Sequence, residues 1–303
     1  MGHLPRTGKL RRPCGPLHAG RIVTGPQRGR EGGSAPQRPW TALLLAGSRP
    51  GRDALAEHFG AEAKALIPIA GEPMAARVAR VLLSTPEIGT VRVIGPEALD
   101  AVLPRNPRLV RRDAEGSIAQ VLRDTLAEAD APLPIVVTTA DHPLLSARTL
   151  AAFLRGAAGA DAAVGAVERR TVLRRFPGTR RTWLRFRGGA YTGANLFAVG
   201  SRRALRAIEL WAGVEQERKS ARKLVRALGP GFLLMAALRL LSAEGAVRRA
   251  GRRLGLEARA VVLDDPLAAV DVDSVADHAL VTAVLEGRGR KSSPGRGGGS
   301  PQG

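Results

Sequence analysis

From Trp40 onward the chain sets short apolar runs against amphipathic stretches. Residues 41–46 close at Gly47, the pattern of a buried first strand giving way to a loop. Pro73 then opens a helix through Leu83, at a first-turn position where its missing N–H costs nothing. Val91, Arg92, Val93 and Ile94 form a second strand that stops at Gly95-Pro96. Over 117–129, Ile118, Val121, Leu122, Thr125 and Leu126 recur on one helical face. Residues 135–139 are all β-branched, which predicts a central strand covered on both faces. A helix over 149–157 and a strand over 162–167 extend the series. Strands alternating with helices imply βαβ crossovers, so the fold class is α/β, with a doubly wound and mostly parallel sheet.

After Glu168 the rhythm changes. The Arg-rich stretch 169–187 contains Pro177-Gly178 and predicts a hairpin whose second arm is 182–186, followed by a strand over 195–199. Helical patterns over 201–210, 216–228 and 232–254, the last broken at Gly245, read as a helical insertion spanning about 201–255. Strand character returns over 259–263, a short strand ends at 271–273, and a helix over 275–285 closes the domain. The expected organisation is a basic disordered extension over 1–39, one folded domain over 40–286 and a Gly/Ser/Arg tail over 287–303. The sequence contains no internal repeat.

Composition narrows the picture. A chain of 303 residues with 44% hydrophobic residues can bury a sizeable core. Aromatics are only 3%, so stacking platforms for single-stranded nucleic acid are scarce. The net charge of +20 resembles a nucleic-acid signature, yet about half of the excess lies in residues 1–40 and in the tail from Glu286. Nucleic acid is therefore not the expected partner, and the remaining positive charge suits small anionic substrates. Cys14 is the only cysteine, which excludes an intrachain disulfide and a thiolate cluster and fits a reducing cytoplasm. The N-terminus lacks a continuous apolar stretch, being broken by Pro5, Pro13, Gly15 and Pro16. The most apolar run, 231–241, is too short to span a bilayer and contains Arg239.

Three segments carry candidate chemistry, each at the end of an expected strand, where open α/β sheets bind ligands. The first is Leu45-Ala46-Gly47 and the loop containing Ser48, Arg49, Gly51 and Arg52, followed by Lys64. Backbone N–H groups of such a loop can converge on phosphate oxygens while a cation offsets their charge; a plain surface turn is the alternative. It lacks the Gly-Lys-Ser/Thr ending of a Walker loop and the Gly-x-Gly-x-x-Gly of a dinucleotide fold. The second is Asp141, with His142 as a spacer: a carboxylate at a strand's edge can hold Mg²⁺ against triphosphate oxygens or simply cap a turn. The third is Asp271-Val272-Asp273-Ser274, where Asp273 or Ser274 could equally cap the closing helix.

The most specific run in the chain is Lys64-Ala65-Leu66-Ile67-Pro68-Ile69-Ala70-Gly71-Glu72-Pro73-Met74. Together with Leu-Ala-Gly at 45–47, it resembles the opening signature of nucleotidyltransferases of the molybdenum cofactor guanylyltransferase and sugar-nucleotide pyrophosphorylase type. The resemblance implies a Rossmann-like three-layer α/β/α sandwich. It also implies that Leu45, Ala46, Gly47 and Lys64 hold a nucleoside triphosphate, with a loop arginine, Arg52 or Arg49, beside them. Asp141, in a segment similar to the family's Asp-x-Pro-Leu, and Asp273 would bind Mg²⁺, with Asp271 as a rival ligand. Gly116 and Ser117, opening a helix, resemble the segment that approaches the base. Gly193 and Asn195, in Gly-Ala-Asn-Leu-Phe, resemble the lining of an acceptor pocket.

The implied reaction is transfer of a nucleoside monophosphate to a phosphorylated small-molecule acceptor with release of pyrophosphate. Lys64, Arg52 and Asp141 would be its catalytic groups. A molybdenum cofactor guanylyltransferase is the alternative. A catalytically silent relative is another, in which Phe232-Leu233-Leu234-Met235 with Arg239, Arg248, Arg249, Arg252 and Arg253 would form one interfacial helix for peripheral membrane or protein docking. No pattern in the sequence encodes the oligomeric state.

Overall fold

The structure, a computed structural model, describes residues 38–47, 53–113, 117–179, 181–216 and 227–290. Arg49, Arg52 and Gly116 lie outside the described residues. An eight-stranded sheet runs in the order β10-β7-β9-β6-β1-β4-β5, with β8 paired to β9. Its strands are β1 (Trp40–Leu45), β4 (Ile88–Ile94), β5 (Leu109–Arg112), β6 (Ile135–Thr139), β7 (Ala162–Glu168), β8 (Leu184–Phe186), β9 (Gly189–Val199) and β10 (Ala258–Leu263). A separate two-stranded hairpin joins β2 (Pro68–Ile69) to β3 (Glu72–Pro73). β1 pairs in parallel with β4 and β6, β5 with β4 and β10 with β7, whereas β9 is antiparallel to β6, β7 and β8.

Alternation along the central strands accounts for the three layers. Ala42 and Leu44 of β1 and Val136 of β6 enter one core, while Leu43, Ile135 and Val137 enter the other. The first core is covered by α2 (Met74–Ser84), α4 (Ala147–Ala157), α5 (Arg169–Arg175) and α9 (Val275–Arg290), with α1 (Ala54–His58) at its margin. The second is covered by α3 (Ile118–Ala127) and α6 (Leu205–Gln216). A strand buried on both faces must be apolar at successive positions, which is why β1 and β6 read as continuous runs rather than alternations.

The structure corrects several expectations. Residues 169–175 form helix α5, and Pro177-Gly178 follows it as a turn rather than joining two strands. The hairpin lies one element later, with Phe186 opposite Gly189 across Arg187-Gly188. Gly188 takes a positive φ of 93° at the second turn position, a region glycine enters without a Cβ clash. The expected helix over 232–254 is two helices, α7 (Pro230–Ala237) and α8 (Ala243–Leu254), separated near Arg239 at φ 56° rather than at Gly245. Ser242 starts α8 by accepting from the Gly245 N–H at 3.1 Å. The apolar residues assigned to one interfacial helix therefore lie on α7 and Arg248, Arg249, Arg252 and Arg253 on α8, with Arg239 at the break between them. Residues 271–273 are not a strand; a 3-10 turn over Pro266–Ala269 leads into them.

Candidate active site

The strand order reverses at β1: the chain builds outward through β4 and β5, then crosses back to place β6 on β1's other side. Diverging connections leave a crevice beyond the C-terminal ends of these two strands. Ala46 and Gly47 leave β1 there, and Ala140 and Asp141 leave β6. The backbone holds these ends in register through Ala46 N–H to the Ile94 carbonyl (2.8 Å) and Ala140 N–H to the Leu45 carbonyl (2.9 Å). Gly95 is required at this edge, because an added Cβ would lie 2.9 Å from the Ala46 carbonyl oxygen. Gly47 faces open space among the described residues.

The motif from Lys64 to Met74 folds as one rigid unit. Lys64 begins a 3-10 turn (Lys64–Leu66), Ile67 and Ile69 are buried, and Ala70-Gly71 closes the β2–β3 hairpin with φ of 47° and 79°. Two successive positive φ values define the hairpin turn that best follows strand twist, and glycine makes the second inexpensive. The Met74 N–H returns to the Ile67 carbonyl at 3.1 Å as α2 begins, and Met74 is fully buried. His278 of α9 meets the Pro68 carbonyl at 2.8 Å, so the closing helix clamps the unit that carries Lys64.

These elements bring three distant side chains together. The Lys64 ammonium lies 2.8 Å from Asp141 Oδ2 and 2.6 Å from Asp273 Oδ1. The Val272 N–H donates to the Asp141 carbonyl at 2.9 Å, which pins the segment bearing Asp273 against the end of β6. Burial disfavours charge on Lys64, but attraction and hydrogen bonds from Asp141 and Asp273 outweigh it and raise its pKa above 10.5. The group is a fixed cation throughout the physiological range.

Asp141 has a second oxygen, Oδ1, that is buried and has no hydrogen-bond partner among the described residues. A buried acceptor without a donor calls for a ligand. With Asp273 alongside, the donor set is two carboxylates and no thiolate or imidazole, and no group of three or more His, Cys, Asp or Glu is poised for a metal among the described residues. That suits Mg²⁺, which takes one or two carboxylates and completes its shell with water and phosphate oxygens, and it does not suit a closed zinc site. Asp271, the rival ligand, pairs with Arg181, and Asn195 Nδ2 stands 3.4 Å from its other oxygen, as Asp141 and Asp273 pair with Lys64.

Asn195 reaches this place through a β-bulge. Between β7 and β9 the register passes from Val164↔Phe197 to Ala166↔Gly193, leaving extra residues on β9 around Asn195. Asn195 has φ of 48°, a left-handed conformation that asparagine tolerates better than most residues. Opposite, Gly165 is closely packed: a Cβ would sit 3.1 Å from Leu196 Cβ and 3.2 Å from Ala194 Cβ, so its neighbours would have to give by a few tenths of an ångström. Gly193 faces open space among the described residues. Ser117 caps α3 by accepting from the Gln120 N–H at 3.3 Å. His142 is fully buried beneath the site; burial pushes its pKa down to about 4 against the opposing pull of Asp141, Asp271, Leu267 and Asp265.

Sequence reasoning missed Arg181. Its side chain is 11% exposed, and its partner Asp271 is 28% exposed. One arginine within an Arg-rich stretch carries no local signal of pairing with a residue ninety positions away.

The comparisons with known proteins agree with this fold. A hypothetical transferase from Thermus thermophilus superposes with a TM-score of 0.67 at 32% identity, covering 79% of this chain and 99% of that one. The 4-diphosphocytidyl-2C-methyl-D-erythritol synthase of Anaerococcus prevotii shares the fold at 8% identity (TM-score 0.51, covering 82% and 96% of the two chains). So does a CMP:2-keto-3-deoxy-manno-octonic acid synthetase complexed with CTP, at 14% identity (TM-score 0.51, 82% and 99% covered). No curated protein sequence matches the chain. The sequence model of the MobA-like NTP transferase domain matches residues 42–231. The chain belongs to the MobA-like NTP transferase family.

Proposed function

We propose that this protein transfers a nucleoside monophosphate from a nucleoside triphosphate to the phosphate of a small-molecule acceptor, releasing pyrophosphate. The observation that carries the reading is the Lys64 ammonium bridging Asp141 and Asp273 at the β1/β6 crevice. An acceptor phosphate is already anionic at neutral pH, so the reaction needs neither a strong base nor a protein nucleophile. Positioning and charge neutralisation supply the rate.

Asp141 and Asp273 would hold Mg²⁺, which when bound offsets charge on the triphosphate. The same carboxylates fix the Lys64 ammonium at this place, where it would offset charge on phosphate oxygens. Ala46 and Gly47 place the backbone beside those oxygens, while the buried His142 shapes the floor without reaching solvent.

Pyrophosphate release, measured with a panel of triphosphates and phosphorylated acceptors, tests the reading. Lys64→Ala and Asp141→Asn are each expected to lower turnover at least about a hundredfold, the scale of losing a preorganised electrostatic contact. Circular dichroism and melting should show the fold retained. Near-normal turnover in both variants would remove these residues from the reaction. Preference for GTP with a pterin acceptor would identify the guanylyltransferase alternative.

A further inference from the structure

We propose that Arg181 is the binding residue for the acceptor's attacking phosphate, and that Asp271 and Asn195 hold it ready. This assignment rests on the nucleotidyltransferase reading and deepens it, naming a phosphomonoester as the acceptor group and locating where it binds.

Across the crevice the sheet order is β1, then β6, then β9. Ala46, Gly47 and Lys64 lie on the β1 side, Asp141 ends β6, and the Asn195 bulge lies on the β9 side. In-line transfer requires the entering oxygen and the leaving pyrophosphate on opposite sides of the α-phosphorus. With the pyrophosphate held toward β1 and Lys64, the acceptor enters from β9. A bond forms between an acceptor phosphate oxygen and the α-phosphorus, the α–β bridging P–O bond breaks, and pyrophosphate leaves with its electron pair.

A dianion entering from β9 needs a cation there, and Arg181 is that cation. Its partner Asp271 is two residues from Asp273, so their Cα atoms are at most about 7 Å apart. Arg181 has a buried Nε with no hydrogen-bond partner among the described residues, although its Nη1 is bound to Asp271. A guanidinium offers its donors as a fork matched to phosphate oxygens, and an unused buried donor on it is costly to keep empty. Asp271 prevents the cation from drifting. Asn195, held at φ 48°, turns its amide toward the same carboxylate at 3.4 Å. Backbone strain retained beside a cleft is a mark of a binding position.

The experiment has two arms on full-length protein. In the first, calorimetric titration with inorganic phosphate is expected to show binding that Arg181→Gln weakens at least about tenfold and Arg181→Lys weakens less. Arg185→Gln, exposed on the neighbouring hairpin, should bind phosphate as the parent protein does. The double variant Arg181→Gln/Asp271→Asn leaves no unpaired charge and should show the same loss, which separates binding from misfolding. In the second arm, Arg181→Gln should raise the acceptor KM at least about tenfold with the triphosphate KM unchanged. No phosphate binding by the parent protein, a loss confined to Lys64→Gln, or a rise only in the triphosphate KM would each overturn the assignment. If no acceptor supports pyrophosphate release yet phosphate binding depends on Arg181, the nucleotidyltransferase reading fails while the anion site stands.

Discussion

His142 illustrates how much a single side chain beside the cluster can cost. It is held neutral, with a folded-state pKa of about 4 against 6.5 for an ordinary histidine. Between these values the unfolded chain binds a proton that the folded chain refuses, so stability falls as pH drops through 6.5 and the loss is complete below about 4. The full effect is roughly 3 kcal/mol, at 1.36 kcal/mol per pKa unit. Denaturant titrations with a chelator present should therefore show the protein weaker at pH 5 than at pH 7. A His142→Gln variant should lose that slope while other groups keep theirs. Lys64 behaves oppositely: its raised pKa keeps its ion pairs intact until pH climbs above 10.5. Lys64, Asp141 and Asp273 were legible in the sequence because each sits in a short motif, and the structure brings the three into contact. Their catalytic and metal roles belong to the proposal. Arg181 was not legible, because its partner is supplied by tertiary structure alone.

Among the elements, the bulge in β9 depends most on one small residue. Gly165→Val would place methyl groups where only 3.1–3.2 Å separates a Cβ from Leu196 and Ala194. Overpacking of this kind costs about 1–3 kcal/mol, read as a lower denaturant midpoint, and here it should also displace Asn195. The short apolar strands were legible: β6 matches its expected bounds, and β1 and β7 differ by one residue at their ends. β5 was not, because Leu109–Arg112 is an edge strand alternating half-buried and exposed residues, two of them arginine. Helix α5 was misread because its arginines mask the buried pair Thr171 and Val172. The break between α7 and α8 lacks glycine or proline; its only sequence sign is Ser242 followed by Glu244, a helix start within an apparently continuous pattern.

The whole molecule carries a formal charge of +20, which should speed capture of polyanionic substrates. Screening shortens that reach, so kcat/KM is expected to fall severalfold between about 0.05 and 0.5 M salt, with kcat changing less. A salt-independent kcat/KM would show that the surface charge plays no part in encounter. No helix of the described residues is long and apolar enough to cross a membrane.

The antiparallel placement of β9 between β6 and β7 has a consequence for synthesis. When β7 has left the ribosome, its neighbour in the finished sheet does not yet exist, and the flank of β6 stands open. Roughly thirty more residues must emerge before Val199 closes that gap, a delay of about two to six seconds at ordinary translation speeds. During that interval the nascent chain presents an unpaired apolar edge, the kind of surface that recruits a second chain. Slow codons over 169–199 should therefore increase aggregation of this protein more than the same codons placed after β10.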